Sequence, residues 1–138
     1  MFGKRKAVVR RYYELLDKGD VERIKKLLAD NLSWKFPGQP EPLTKETLGP
    51  LNQAFASAFP DMTHTINRQI SEGDWVATAM TFRGTHKGEL MGIPPSGSVV
   101  TNHGLNVHKV VGGKIVEAET AFDMLSFMQQ IGAIPKQG

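Results

Sequence analysis

Few side chains in this chain can move a proton near neutral pH. They are the histidines His64, His86, His103 and His108, and any carboxylate set among apolar neighbours, of which Asp123 in TAFDMLSF is the clearest. An imidazole exchanges protons near neutrality, and a carboxylate does so once apolar surroundings raise its pKa, so this set suits acid/base catalysis. Asp123 has two roles open to it: the N-cap of a terminal helix, or a general acid/base at a pocket rim beside Phe122 and Met124. His108 and His64 are candidates for the same proton transfer, with simple core or rim packing as the alternative. His86, inside GTHKGE, either locks a chain elbow through a backbone hydrogen bond or touches a ligand at a pocket mouth. Asn102, Asn106 and Thr120 do not ionise usefully, but they can orient a carbonyl or hydroxyl on a ligand. Asn106 and Thr120 could equally satisfy each other.

Other chemistries lack their residues. There is no cysteine, no GxSxG elbow, no GxGxxG and no P-loop, so thiolate, serine-nucleophile and nucleotide sites are not expected. No histidine has a second ligand at helical i, i+4 spacing. His103 and His108 are five apart, on opposite faces of a regular strand, so no metal is expected. The net charge of +3 gathers at Lys4, Arg5, Lys6, Arg10, Arg11, Lys25 and Lys26. These lie on the wet faces of amphipathic helices and accompany no nucleic-acid motif, so no nucleic-acid partner is expected. Apolar runs fall well short of the roughly 18 residues that span a bilayer. Arg10, Arg11, Tyr12 and Tyr13 interrupt any signal-peptide core, so the expectation is a cytoplasmic protein without a membrane partner. At 138 residues, the chain reads as one domain over 1–138 with a core of its own.

The elements that must position these residues follow from periodicity. Val8, Val9, Tyr12, Leu15 and Leu16 recur at helical spacing over 4–18, ahead of Gly19 as a left-handed cap. Asp20 caps a second helix with Val21, Ile24, Leu27 and Leu28 as its stripe. A strand over 32–36 puts Trp34 and Phe36 on one face, and PGQPEP ends it. A third helix over 45–58 buries Leu51, Ala54, Phe55 and Ala58. Its start is Thr44 or Thr47, according to whether Pro50 costs a helical hydrogen bond. Strands follow over 62–71, 74–84, 98–110 and 114–122, joined by Glu72-Gly73, a Gly- and Pro-rich elbow over 84–97, and Gly112-Gly113, as antiparallel hairpins do. A short helix closed by Gly132 ends the chain. The inward series are Val76, Thr78, Met80 and Phe82; His64 and Ile66; Asn102, Asn106 and His108; Val116, Ala118, Thr120 and Phe122. Glu117 and Glu119 then face water, and a bulge would exchange the faces. Trp34, Phe36, Tyr12, Met80, Phe82 and Met124 supply apolar surface, some of it for a pocket that takes a flat hydrophobic molecule. Helices first and strands afterwards make the class α+β, with helices packed on one face of a curved antiparallel sheet.

FPDM (59–62), EGDWVA (72–77), RGTHKGELMGIPPSG (83–97), GGKIVE (112–117) and FDMLSFMQQIG (122–132) occur in the order seen in the SnoaL-like polyketide cyclase family of the nuclear-transport-factor-2-like superfamily, which the chain resembles over almost its whole length. The resemblance implies a cone-shaped barrel, cystatin-like, whose curved sheet wraps the N-terminal helices around one deep apolar pocket. It also implies a homodimer through the outer sheet face and aldol ring closure with no metal or cofactor. In that resemblance Thr120 stands where characterised cyclases carry their catalytic Asp, Asn106 where they carry a pocket His, and Leu16 where some carry a Tyr. The expected function is therefore acid/base chemistry (isomerisation, dehydration, hydrolysis or cyclisation) on a small hydrophobic, oxygenated compound. A non-catalytic carrier, sensor or dimerisation module is the alternative.

Overall fold

The computed structural model describes residues 3–135. In chain order they form α1 (Lys4–Asp17), α2 (Val21–Lys25), β1 (Leu28–Lys35), α3 (Lys45–Ala58), β2 (Thr63–Glu72), β3 (Trp75–Thr85), β4 (Val99–Val111), β5 (Lys114–Phe122) and α4 (Met124–Gln130). The class is α+β as expected, with α1 packed across β2 to β5 and α3 against β1.

Local chemistry sets the helix ends. Past Asp17, Gly19 takes φ 70°, which lets its N–H reach Leu16 O and the N–H of Asp20 reach Leu15 O, both at 2.9 Å. This Schellman closure stops α1 at a defined residue. Asp20 then caps α2 through Arg23 N–H. That helix is one turn shorter than its apolar stripe suggests, because Leu28 already belongs to β1. Thr44 and Thr47 form a reciprocal capping box at the start of α3, so Pro50 lies inside the helix and removes one hydrogen bond.

The five strands lie in the order β1-β5-β4-β3-β2. The pairs β2–β3, β3–β4 and β4–β5 are antiparallel, while β1 runs parallel to β5. The sheet is thus mixed and not wholly antiparallel, because β1 enters from the helical layer and not from a hairpin. A second departure is in β5. The register shifts between Lys109 and Val110, so Ile115 is buried in place of the expected Val116, and from Ala118 onward the expected phase holds. One extra residue at a bulge moves each neighbour to the other face.

The register aligns inward side chains in rows across the sheet. His64, Phe82 and Asn102 share the first row; Ile66, Met80, Gly104 and Phe122 the second; Gln69, Thr78, Asn106 and Thr120 the third. Val76, His108, Ala118 and Trp34 make the fourth, and it is sealed. The elbow after β3 folds onto the end of α3. Lys87 and Gly88 both donate to Ala58 O, at 2.9 and 3.1 Å. Asp61 accepts from Thr85 N–H and Thr85 Oγ–H, both at 2.7 Å, which holds its carboxyl below the usual carboxylate range.

Candidate active site

Between the helices and the sheet lies a cavity of about 110 Å³. Its walls are mostly aromatic and aliphatic: Tyr12, Tyr13 and Leu16 from α1, Trp34 and Phe36, Leu51 and Phe55 from α3, and Met80, Phe82, Phe122 and Phe127. Rings meet edge to face, Tyr12 on Tyr13 at 4.9 Å and Phe122 on Phe127 at 6.0 Å, a geometry that aromatic quadrupoles favour. Gly104, in the second row, lends the cavity space that a side chain would fill; a Cβ there would point at Phe122 Cβ, 3.6 Å away. Polar atoms enter at three places.

The first is His64. Its Nδ1 is 2.6 Å from Asp17 Oδ1, and its backbone N–H donates to Asp17 Oδ2 at 2.8 Å. An ionised carboxylate only accepts, so Nδ1 carries the proton, and in the neutral ring Nε2 offers a lone pair. Nε2 has no protein partner among the described residues, and His64 forms part of the cavity wall between Tyr13 and Phe82, with ring centroids at 5.1 and 5.3 Å. Both side chains are largely enclosed, at 11% exposure for His64 and 23% for Asp17. The edge strand β2 thus has its His64 N–H taken by a carboxylate and not by another strand.

Asp17 was not among the residues singled out from sequence. A signal for it did exist. It ends α1, where the partial negative charge of the helix disfavours an anion by about 0.3–1 kcal/mol. A carboxylate there, next to a Gly cap, needs a partner elsewhere.

The second place is a relay across the third row. Trp34 Nε1–H donates to Thr120 Oγ1 at 2.8 Å, Thr120 Oγ1–H to Asn106 Oδ1 at 2.6 Å, and Asn106 Nδ2–H to Met80 Sδ at 3.3 Å. The third is a pair of amides. Asn52 and the Tyr12 hydroxyl exchange hydrogen bonds at 3.1 and 3.3 Å, and burial raises the phenol pKa. Asn102 borders the cavity beside Phe82, and its carboxamide meets no acceptor or donor among the described residues.

The remaining candidates lie elsewhere. His108 is fully buried beneath Trp34, Tyr12 and Tyr13, outside the cavity lining, with neither ring nitrogen hydrogen-bonded. Burial lowers its pKa from 6.5 to about 3, so it stays neutral. Asp123 is exposed and caps α4, accepting from Ser126 N–H at 3.0 Å. His86 is buried against Phe59; its Nδ1 accepts from Ser96 N–H at 3.2 Å, and its own N–H reaches Ser98 O, closing the elbow. His103 faces outward beside Thr81 and borders the cavity. Among the described residues no group of three or more His, Asp and Glu is placed to hold a metal, and no helix is long and apolar enough to cross a membrane.

Comparison with known proteins is consistent with this geometry. The family model for SnoaL-like polyketide cyclases matches residues 6–131. Aklanonic acid methyl ester cyclase DnrD of Streptomyces peucetius is 28% identical over 133 residues, covering 91% of this chain and 88% of that protein. Among solved structures, IdmH of Streptomyces antibioticus, a candidate polyketide cyclase, superposes with a TM-score of 0.79 at 32% identity, over 93% of this chain and 98% of that one. AclR of Streptomyces galilaeus, a candidate hydroxylase, superposes with a TM-score of 0.88 at 25% identity, over 100% of this chain and 87% of its own.

Proposed function

Because this chain belongs to the SnoaL-like polyketide cyclase family, we propose that it is an enzyme in which His64, aimed by Asp17, removes a proton from carbon next to a carbonyl. The substrate is a small, flat, oxygenated hydrophobic compound held between the aromatic walls. The observation that carries this reading is the 2.6 Å contact between His64 Nδ1 and Asp17 Oδ1, which leaves Nε2 as a base in the cavity wall. Nε2 takes the proton as the C–H pair moves to the carbonyl oxygen. The Asn102 carboxamide, on the same row, supplies a donor for the enolate oxygen. Enolate formation is the step shared by aldol ring closure, isomerisation and many dehydrations. Ring closure is favoured among these by the likeness to DnrD. If Thr120 stands where the resemblance implies an Asp, the proton transfer passes in this reading to His64.

A ketone probe tests the base without knowledge of the natural substrate. In heavy water, the protein should accelerate exchange of the α-protons of 1-tetralone, followed by proton NMR. His64→Ala should lose roughly 10²- to 10⁴-fold of that acceleration. Asp17→Asn, which lets the ring take either tautomer, should lose less. Exchange that is unaffected by His64→Ala would remove His64 from the mechanism.

We also propose that a second copy of the chain covers the outer face of the sheet. Ile70, Trp75, Leu105 and Val107 stand exposed there on β2, β3 and β4, forming more apolar surface than isolated exposed residues would give.

A further inference from the structure

The relay on the third row has a direction. The Trp34 indole only donates, so Thr120 Oγ1 accepts its N–H at 2.8 Å. The Thr120–Asn106 contact of 2.6 Å is shorter than N–H···O bonds usually are and typical of O–H···O, so the hydroxyl proton goes to Asn106 Oδ1. The amide nitrogen then faces Met80, whose sulfur, 3.3 Å from Nδ2, is an acceptor that a carboxamide oxygen could not use. Both contacts fix the Asn106 carboxamide in the same orientation. Its Nδ2 carries a second N–H that has no acceptor among the described residues, on a side chain that borders the cavity and is only 4% exposed.

We propose that Asn106 is a specificity-determining residue, a locked donor that selects ligands presenting a carbonyl oxygen over the same skeleton bearing a hydroxyl. The inference rests on the cavity being the substrate site, and it adds the polarity required at the end remote from His64. Four residues along β3 separate the His64 row from the Asn106 row, roughly 13 Å at the rise of a strand. A ligand that meets both carries one enolisable carbonyl at the His64 end and a second acceptor oxygen at the other. The buried N–H is the group left in need: Thr120 Oγ1 and Asn106 Oδ1 each already accept one bond, whereas an unpaired buried donor is the rarer and costlier orphan. A carbonyl satisfies it with no proton of its own to place. A hydroxyl must also find an acceptor for its hydrogen.

The test uses two compounds with one skeleton, 1-tetralone and racemic 1-tetralol; each carries a single oxygen that reaches one end at a time, so proton exchange reports the His64 end and the Trp34 signal reports the Asn106 end. The sequence has 2 Trp, so ¹⁵N-labelled Trp75→Phe protein retains a single indole N–H signal, that of Trp34 in the relay. Titration followed at that signal should show 1-tetralone binding about tenfold or more tighter than 1-tetralol. Asn106→Leu should bring the ratio near one. Thr120→Val, which frees the carboxamide to turn over, should narrow it with the donor still present. Equal or tighter binding of 1-tetralol overturns the proposal, as does a ratio unchanged in both variants or no response to either compound. His64→Ala should keep the preference while abolishing α-proton exchange, so a failure of the base and a failure of the donor are told apart.

Discussion

At the scale of single residues, two of the enclosed histidines have opposite fates. His64 has a carboxylate on one nitrogen and the cavity on the other; His108 has apolar rings on every side and no partner at all. For His108 the pKa falls from 6.5 unfolded to about 3 folded. A depressed folded pKa means that the unfolded chain binds a proton first as pH falls. Stability is unaffected above the unfolded value and is lost progressively from about pH 6.5 down to pH 3. Between pH 7 and pH 5 the loss from this group should be about 2 kcal/mol. Urea unfolding at the two pH values should show a stability loss in the natural protein that exceeds the loss in His108→Leu by about this amount. Equal pH dependence in both proteins would mean that His108 is reached by water or paired in the folded state.

At the scale of elements, the GTHKGE segment has a plain physical meaning. A Cβ on Gly88 would lie 2.6 Å from the backbone oxygen of Ser57, inside any normal contact. The elbow can dock on the end of α3 only because that atom is missing. Gly88→Ala should therefore destabilise the fold by about 1–3 kcal/mol, read as a lower denaturation midpoint with the same far-UV spectrum at rest. The inward phases of β3 and β4 were legible in the sequence, since Val76 to Phe82 and Asn102 to His108 alternate with residues of different character. The exchange of Ile115 for Val116 was not, because both are β-branched and apolar and suit either face. The parallel pairing of β1 was hidden as well, as period-two alternation carries no information about strand direction. The Asp17–His64 contact joins residues 47 apart in sequence. No local pattern brings such a pair together, and only the charge of Asp17 at the wrong end of a helix hinted at it.

At the scale of the whole molecule, one side of the sheet is filled by helices and aromatic side chains while the other carries exposed Ile70, Trp75, Leu105 and Val107. A pair of chains meeting through this face would remove that surface from water on the side of the sheet opposite the helices. Light scattering coupled to size exclusion should report twice the chain mass, and Trp75→Lys with Leu105→Lys should halve it. A natural protein already at the mass of one chain would refute the pairing. The α+β class, α1, α3 and the strands β2 to β5 were readable from periodicity and turn residues, whereas β1 begins at Leu28, four residues ahead of its alternating pattern, and shortens α2. What the hollow between them accepts depends on a handful of polar atoms whose partners come from distant strands.

Both oxygens of Asp17 are committed to His64, one to the ring and one to the main chain. Seating the first helix on the sheet and setting the angle of the imidazole are therefore a single event. A half-assembled chain, with its strands paired but that helix adrift, would have walls and no working base. On the proposed reading, the base is therefore in place only in a chain whose first helix is seated on the sheet.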